Sequence, residues 1–214
     1  MKTGTLMLIL AFLTCSISAT SQTTEVEPRG VFKEIDVAKH NQAIEALRSN
    51  DTKVRQRTEA AVLKAPNSYN PPVIYALSRE LFEQGKKEEA SYWFYVAQLR
   101  ARYDANLCLD NTARQGVTIL NNEYGPDINK FALQDITKLK VTVNKVVDFV
   151  RKNDENYDHR WLNLHGMWAV EAGLGDKKET RALSEPKAKW PAIKKKTIDD
   201  YYAGFIQAIA NMKK

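Results

Sequence analysis

His159 and His165, in the run DHRWLNLHG, are the only two histidines close enough along the chain to act together. Six residues of α-helix turn them about 240° apart, so they face different sides of a straight helix. They cannot jointly hold one ion, and no spacing in the chain resembles the three- or four-ligand signatures of zinc sites. Neither a metal nor a cofactor is therefore expected. Cys108 with a distant histidine outlines a thiol nucleophile, but a cysteine between Leu107 and Leu109 reads more simply as a small buried hydrophobe. Glu155 or Asp158 beside His159 offers general acid–base chemistry, as chance pairs do in any chain of this size. Gly-rich phosphate loops, nucleophile elbows and dinucleotide fingerprints are missing. No catalytic residue is assigned, and the balance lies against an enzyme, although a site assembled from scattered residues would leave no such motif.

The stretch 156–161 (NYDHRW) is dense in polar and aromatic groups at what reads as a helix start. Arginine and tryptophan are enriched at binding hot spots, and a helix N-terminus can hold an anion. Asp158, His159 and Arg160 are thus candidate partner-binding residues. The competing structural reading has Asp158 as a helix cap and Trp161 in the core. A cleft near Asp158, His159, Arg160 and His165 would instead suit an exported helical enzyme or an envelope lipid- or glycan-binding protein.

Helices must position these groups. From Asp36 onward apolar residues recur every three or four positions, and sustained alternation of β-branched residues is missing. The spacing predicts a first helix over 36–50 with Val37, Ile44 and Leu47 inward, then a second to residue 65 capped by Asp51 or Thr52. Pro71-Pro72 opens a third, which Gly85 ends in the left-handed conformation, and a fourth runs over 87–103. Asp110 caps a fifth that stops at Gly125-Pro126, with a short helix beyond holding Ile128, Phe131 and Ala132. Ile136, Leu139, Val143, Val146 and Val150 then mark a long amphipathic helix, whose valine content leaves a strand possible over 140–147. Asp158 starts a helix holding Trp161, Leu164, Trp168 and Val170, and Thr197 with Asp200 makes a reduced capping box for a last one. The class is all-α, one multi-helix bundle of antiparallel hairpins.

The chain of 214 residues opens with Lys2, an apolar run over 6–13 and then small residues, the layout of a secretory signal peptide over 1–21. Cleavage fits after Ser18, Ala19 or Ser21; lipidation at Cys15 is the less favoured alternative because Phe12-Leu13-Thr14 resembles a lipoprotein signal poorly. The apolar run is too short to span a bilayer and no later one is longer, so no transmembrane segment is expected. Export to the periplasm or beyond follows, with a flexible segment over 22–35 and the helical domain over 36–214. Cys108 would then be the sole thiol, and a packed core rather than a disulfide must hold the fold.

The formal charge of +6 concentrates in a basic connector over 175–196, where eight basic residues face three acidic ones (8 − 3 = +5). Lys177, Lys178, Lys194, Lys195 and Lys196 suit an anionic surface or acidic partner, with nucleic acid excluded by export; a lysine-solubilised linker is the plainer alternative.

Residues 71–104 resemble one tetratricopeptide repeat or its Sel-one-like relative, and the length of 34 residues agrees. Leu77, Ser78, Gly85, Ala90, Phe94 and Ala97 carry the likeness, and Trp93-Phe94 after Ala90 matches the Ala-x-x-Trp-Phe-x-x-Ala run of the Sel-one-like family. Ile74, Leu81 and Arg102 depart from the pattern, and no second copy lies 34 residues to either side. The resemblance implies binding to a protein partner rather than catalysis. Sel-one-like and related exported helical proteins include immunity proteins that neutralise toxins, so it implies an immunity or adaptor role as one version. Tyr92, Tyr95 and Tyr103 lie off the stripe formed by Ala90, Trp93, Phe94, Ala97 and Ala101. Either the fourth helix is central, or these tyrosines meet a partner.

Overall fold

The computed structural model describes residues 27–175 and 180–212. Among these, eight α-helices follow one another: α1 (Ala38–Leu47), α2 (Thr52–Lys64), α3 (Pro71–Glu83), α4 (Lys87–Leu107), α5 (Gln115–Ala132), α6 (Ile136–Lys152), α7 (Met167–Leu174) and α8 (Trp190–Met212). The all-α class is as the periodicity requires. Strand-like pairing among the described residues is confined to an antiparallel bridge, Cys108 to Ser184. None of these helices is long and apolar enough to cross a membrane.

Local chemistry sets several boundaries as expected. The Asp51 carboxylate accepts from the Lys53 and Val54 amides and starts α2. Prolines 71 and 72 occupy the first turn of α3, and Gly85, at φ +83°, turns the chain into α4. In α6 the valines form a buried stripe, Leu139, Val143, Val146, Val147 and Val150, which resolves the 140–147 ambiguity in favour of helix. Burial of that face outweighs the modest helix penalty of β-branched residues.

The fourth helix is the axis of the fold. It packs against α3, α5, α6 and α8, and most of its side chains from Ala90 to Leu107 are buried, with Arg102 and Asn106 exposed. Apolar and aromatic residues on more than one face of the helix need such enclosure. At its join with α3 lie Leu77, Ser78, Ala90, Phe94 and Ala97, all inaccessible to solvent. A smaller core of Phe32, Ile35, Ala169, Ala172 and Leu183 sits apart.

Four boundaries differ from expectation. α5 does not stop at Gly125-Pro126 but runs through Pro126 to Ala132. An interior proline costs about 3 kcal/mol; the burial of Tyr124 and Ile128 on the same helix offsets it. Gly125 belongs there because a Cβ would lie 3.2 Å from the Phe94 ring. The single helix expected after Asp158 is instead a 3₁₀ segment, His159–His165, broken from α7 by Gly166. A Cβ at Gly166 would stand 2.0 Å from the Asp110 carboxylate, so close approach sets the break.

The last helix begins at Trp190, not Thr197, with Pro191 in its first turn. Thr197 is buried mid-helix and its hydroxyl accepts from Asn106 at 2.8 Å. The connector is thus helical from 190 onward. Finally, the segment expected to be flexible is held at its end: residues 30–34 form a 3₁₀ turn that places Phe32 in the smaller core. The signal region, residues 22–26, Lys177 and Lys178 lie outside the described residues.

Candidate functional site

Charged groups inside an enclosed helix must find partners, because an isolated buried charge is costly. α4 carries two, one turn apart, and both are fully buried: Arg100 and Asp104. Each draws in chain from beyond α6. Asp104 accepts three hydrogen bonds, from His159 Nδ1 at 2.6 Å, Trp161 Nε1 at 2.6 Å and the Tyr157 hydroxyl at 3.1 Å. Arg100 donates to the Pro66 carbonyl at 3.1 Å and to Asn67 Oδ1, while its Nε lies 3.5 Å from Glu155 Oε1. The other Glu155 oxygen accepts from Lys194 Nζ at 2.8 Å, and Lys194 also reaches the Asn153 carbonyl at 2.8 Å. Two buried charges on one helix thereby fix 153–161 and tie it to the start of α8.

Burial raises the pKa of Asp104 against the opposing pull of its donors. For His159, burial alone would lower the pKa, but the hydrogen bond and charge of Asp104 prevail, and Glu155 and Asp158 add to them, so it stands above the ordinary value. With Nδ1 committed to Asp104, Nε2 is the ring nitrogen left over, and it makes no hydrogen bond among the described residues. The ring is held edge-on by Tyr103 and Trp190, at centroid separations of 5.3 and 5.1 Å.

This histidine lines a groove of about 830 Å³. Tyr103, His159, Trp190, Pro191 and Ile198 supply its apolar and aromatic surface, and Arg151, Asp154, Lys187, Lys195 and Asp199 its charged rim. Trp190 is oriented by its indole N–H, which donates to the Glu185 carbonyl at 2.7 Å. A pocket in the range of 300–1,000 Å³ with aromatic walls and a few placed polar groups is suited to ligand binding.

Of the residues singled out from sequence, Tyr103, Glu155, His159, Lys194 and Lys195 meet here. Tyr92 is half-buried against Trp93 and Phe149. Tyr95 is buried against α5, its hydroxyl donating to Asn129 Oδ1 at 2.9 Å with its pKa pushed up to about 12 by burial. Tyr95 is thus covered by the chain's own helices, Tyr92 keeps part of its surface open, and neither lines the groove. Asp158 caps the 3₁₀ segment by accepting from the Arg160 amide, and Arg160 Nη2 returns to Asp158 at 2.8 Å. Neither lines the groove. His165 is exposed and leans on Trp161 instead. The cleft expected from Asp158, His159, Arg160 and His165 is therefore not assembled. His159 and His165 also sit on 3₁₀ rather than α-helix; six residues at about 2 Å rise still hold them roughly 12 Å apart.

Lys194 is no surface lysine but a buried-side partner of Glu155. Lys195 and Lys196 are exposed and paired within α8 to Asp199 and Asp200, each at 2.6 Å. Sequence reasoning missed Asp104, Arg100 and Trp190. The available signal was a pair of opposite charges one turn apart on an otherwise apolar helix.

The chain matches no protein-family model, no curated protein and no solved structure.

Proposed function

We propose that this chain is an exported binding protein that holds a protein partner in the groove beside His159. The observation that carries this reading is the groove itself: rigid aromatic anchors, Tyr103 and Trp190, backed by a buried hydrogen-bond network and ringed by charges of both signs. Fixed aromatic side chains at the centre of a charged rim are the usual composition of an interaction hot spot. The tetratricopeptide-like hairpin of α3 and α4 supports a binding role by resemblance. Its faces are occupied by α1, α5, α6 and α8, so on this reading the contact surface moves to the far end of α4. An immunity or adaptor role remains the concrete version of the proposal.

Photo-crosslinking in the native envelope tests it. A benzoyl-phenylalanine at Ala188, exposed beside the groove, is expected to trap one protein, and the same probe at exposed Ile119 of α5 is expected not to. No adduct at Ala188 refutes the proposal.

One observation favours a second reading, an exported enzyme: His159 is oriented by Asp104 with its Nε2 uncommitted, as a general base requires. His159→Ala that keeps stability but abolishes a cellular phenotype, with Ala188 crosslinks unchanged, would move the conclusion to catalysis.

A further inference from the structure

The groove's charges are not evenly satisfied. Asp199 accepts from Lys195 at 2.6 Å and lies 3.9 Å from Arg151; Glu155 and Asp154 both serve Lys194, at 2.8 and 3.6 Å. Every acid of the lining thus has a cation. Lys187 has no acid: among the described residues it makes no ion pair, and its Nζ lies 5.9 Å above the Trp190 ring. Arg151 is only loosely engaged, its nearer contact being Asp148 at 3.5 Å along its own helix. The unsatisfied charge of the site is therefore positive, and it stands directly over the aromatic surface.

We infer that the groove takes an acidic segment of the partner: an extended peptide whose large apolar side chain enters against Trp190 and whose adjacent carboxylate meets Lys187. This rests on the protein-binding reading and adds the partner's chemistry. A lipid surface would be a poorer occupant, because the aromatic wall lies within a concavity that a flat bilayer covers without filling. A peptide can enter the concavity and place its charge on one side.

The test uses the full chain and fluorescein-labelled decapeptides of glycine and serine with a central phenylalanine flanked by two Glu, two Gln or two Lys, read by anisotropy. The Glu peptide is expected to bind at least about tenfold tighter than the Gln peptide, with the Lys peptide weaker still; the gap should shrink in 0.5 M salt, where the Debye length is only about 4 Å. Lys187→Gln is expected to cost the Glu peptide about threefold to fivefold, the scale of one solvent-facing ion pair, and the Gln peptide nothing. Lys189→Gln, whose lysine pairs with Glu185 outside the groove, should leave both unchanged. The Trp190 indole resonance should shift on binding. Equal binding of the three peptides, or a Lys187→Gln variant that binds like wild type, overturns the inference, as does binding to phosphatidylglycerol vesicles when no peptide binds. Loss of charge preference with Ala188 crosslinks intact removes only the acidic segment; acidic peptides that bind where Ala188 traps no protein remove only the partner reading.

Discussion

Replacing Asp104 by asparagine keeps the volume and removes the charge at the centre of the site. The carboxylate accepts three hydrogen bonds, and Trp161 Nε1 can only donate. The single amide oxygen of asparagine must therefore stay with Trp161 and Tyr157, which turns the NH₂ toward His159 Nδ1. His159 then has to present a lone pair there and move its proton to Nε2. Hydrogen bonds to a charged group contribute about 1.5–3 kcal/mol each, against about 1 for neutral ones. Weakening two and reversing one costs about 2–4 kcal/mol. At about 2–4 °C per kcal/mol for a chain of this size, the melting temperature should fall by on the order of 10 °C.

The same substitution reverses a titration. In the wild type His159 stands above its ordinary 6.5 because Asp104 outweighs burial. A raised pKa contributes stability that is complete below pH 6.5 and is lost as pH climbs through the folded value. Without Asp104, burial prevails and the folded pKa drops below 6.5, so the contribution becomes complete above 6.5 and is lost on acidification. Two-dimensional NMR of His159 and thermal melts from pH 5 to 9, read as wild type minus variant, measure both; His40, whose pKa burial lowers, cancels in the difference. An unchanged His159 titration, or a melting point within 2 °C of wild type, would refute the account of this centre.

Three further outcomes follow from packing and burial. Phe94→Ala removes a ring with no solvent exposure between α3, α4 and Gly125, and should cost about 3–5 kcal/mol in urea unfolding. Gly166→Ala forces a Cβ onto the Asp110 carboxylate and should destabilise, whereas Gly204→Ala, in open space on α8, should stabilise by about 0.5–1 kcal/mol in the same assay. Cys108 is buried with its thiol pKa pushed up to about 11, mainly by burial, so a disulfide reagent at pH 8 should modify it only as fast as the fold opens.

Helix starts governed by one or two local residues were legible: the Asp51 cap, Pro71-Pro72 and the turn at Gly85 each act within a few positions. So was the face of α6, since its stripe is periodic whatever it packs on. What failed depended on distant partners. Gly125-Pro126 has every local mark of a stop, and only the enclosure of Tyr124 and Ile128 carries α5 through it. The Thr197–Asp200 capping pattern was a coincidence, because Asn106 claims Thr197 and Lys196 claims Asp200. The local signal that counts is the proline just after Trp190. His159 stands near His165, Glu155 and Asp158 in the sequence, yet its partner is 55 residues away on α4.

That distance explains why the groove stands where it does. Residues 153–165 include no α-helix, and irregular chain in a packed protein needs other partners for its polar groups. Here most of the anchors are side chains: Arg100 draws in Glu155, and Asp104 draws in Tyr157, His159 and Trp161, while the Asn156 amide donates to the Asn67 backbone carbonyl. Because Arg100 and Asp104 lie one turn apart on the central helix and are both buried, they set this segment at a fixed height along α4. α8 approaches the same level through Lys194, and there the His159 and Trp190 rings meet edge to face. Buried ion pairs are poor sources of net stability compared with apolar packing of equal volume. Their effect in this chain is positional: they hold an aromatic-walled opening beside the core where two segments meet through charges instead of through a packed apolar stripe.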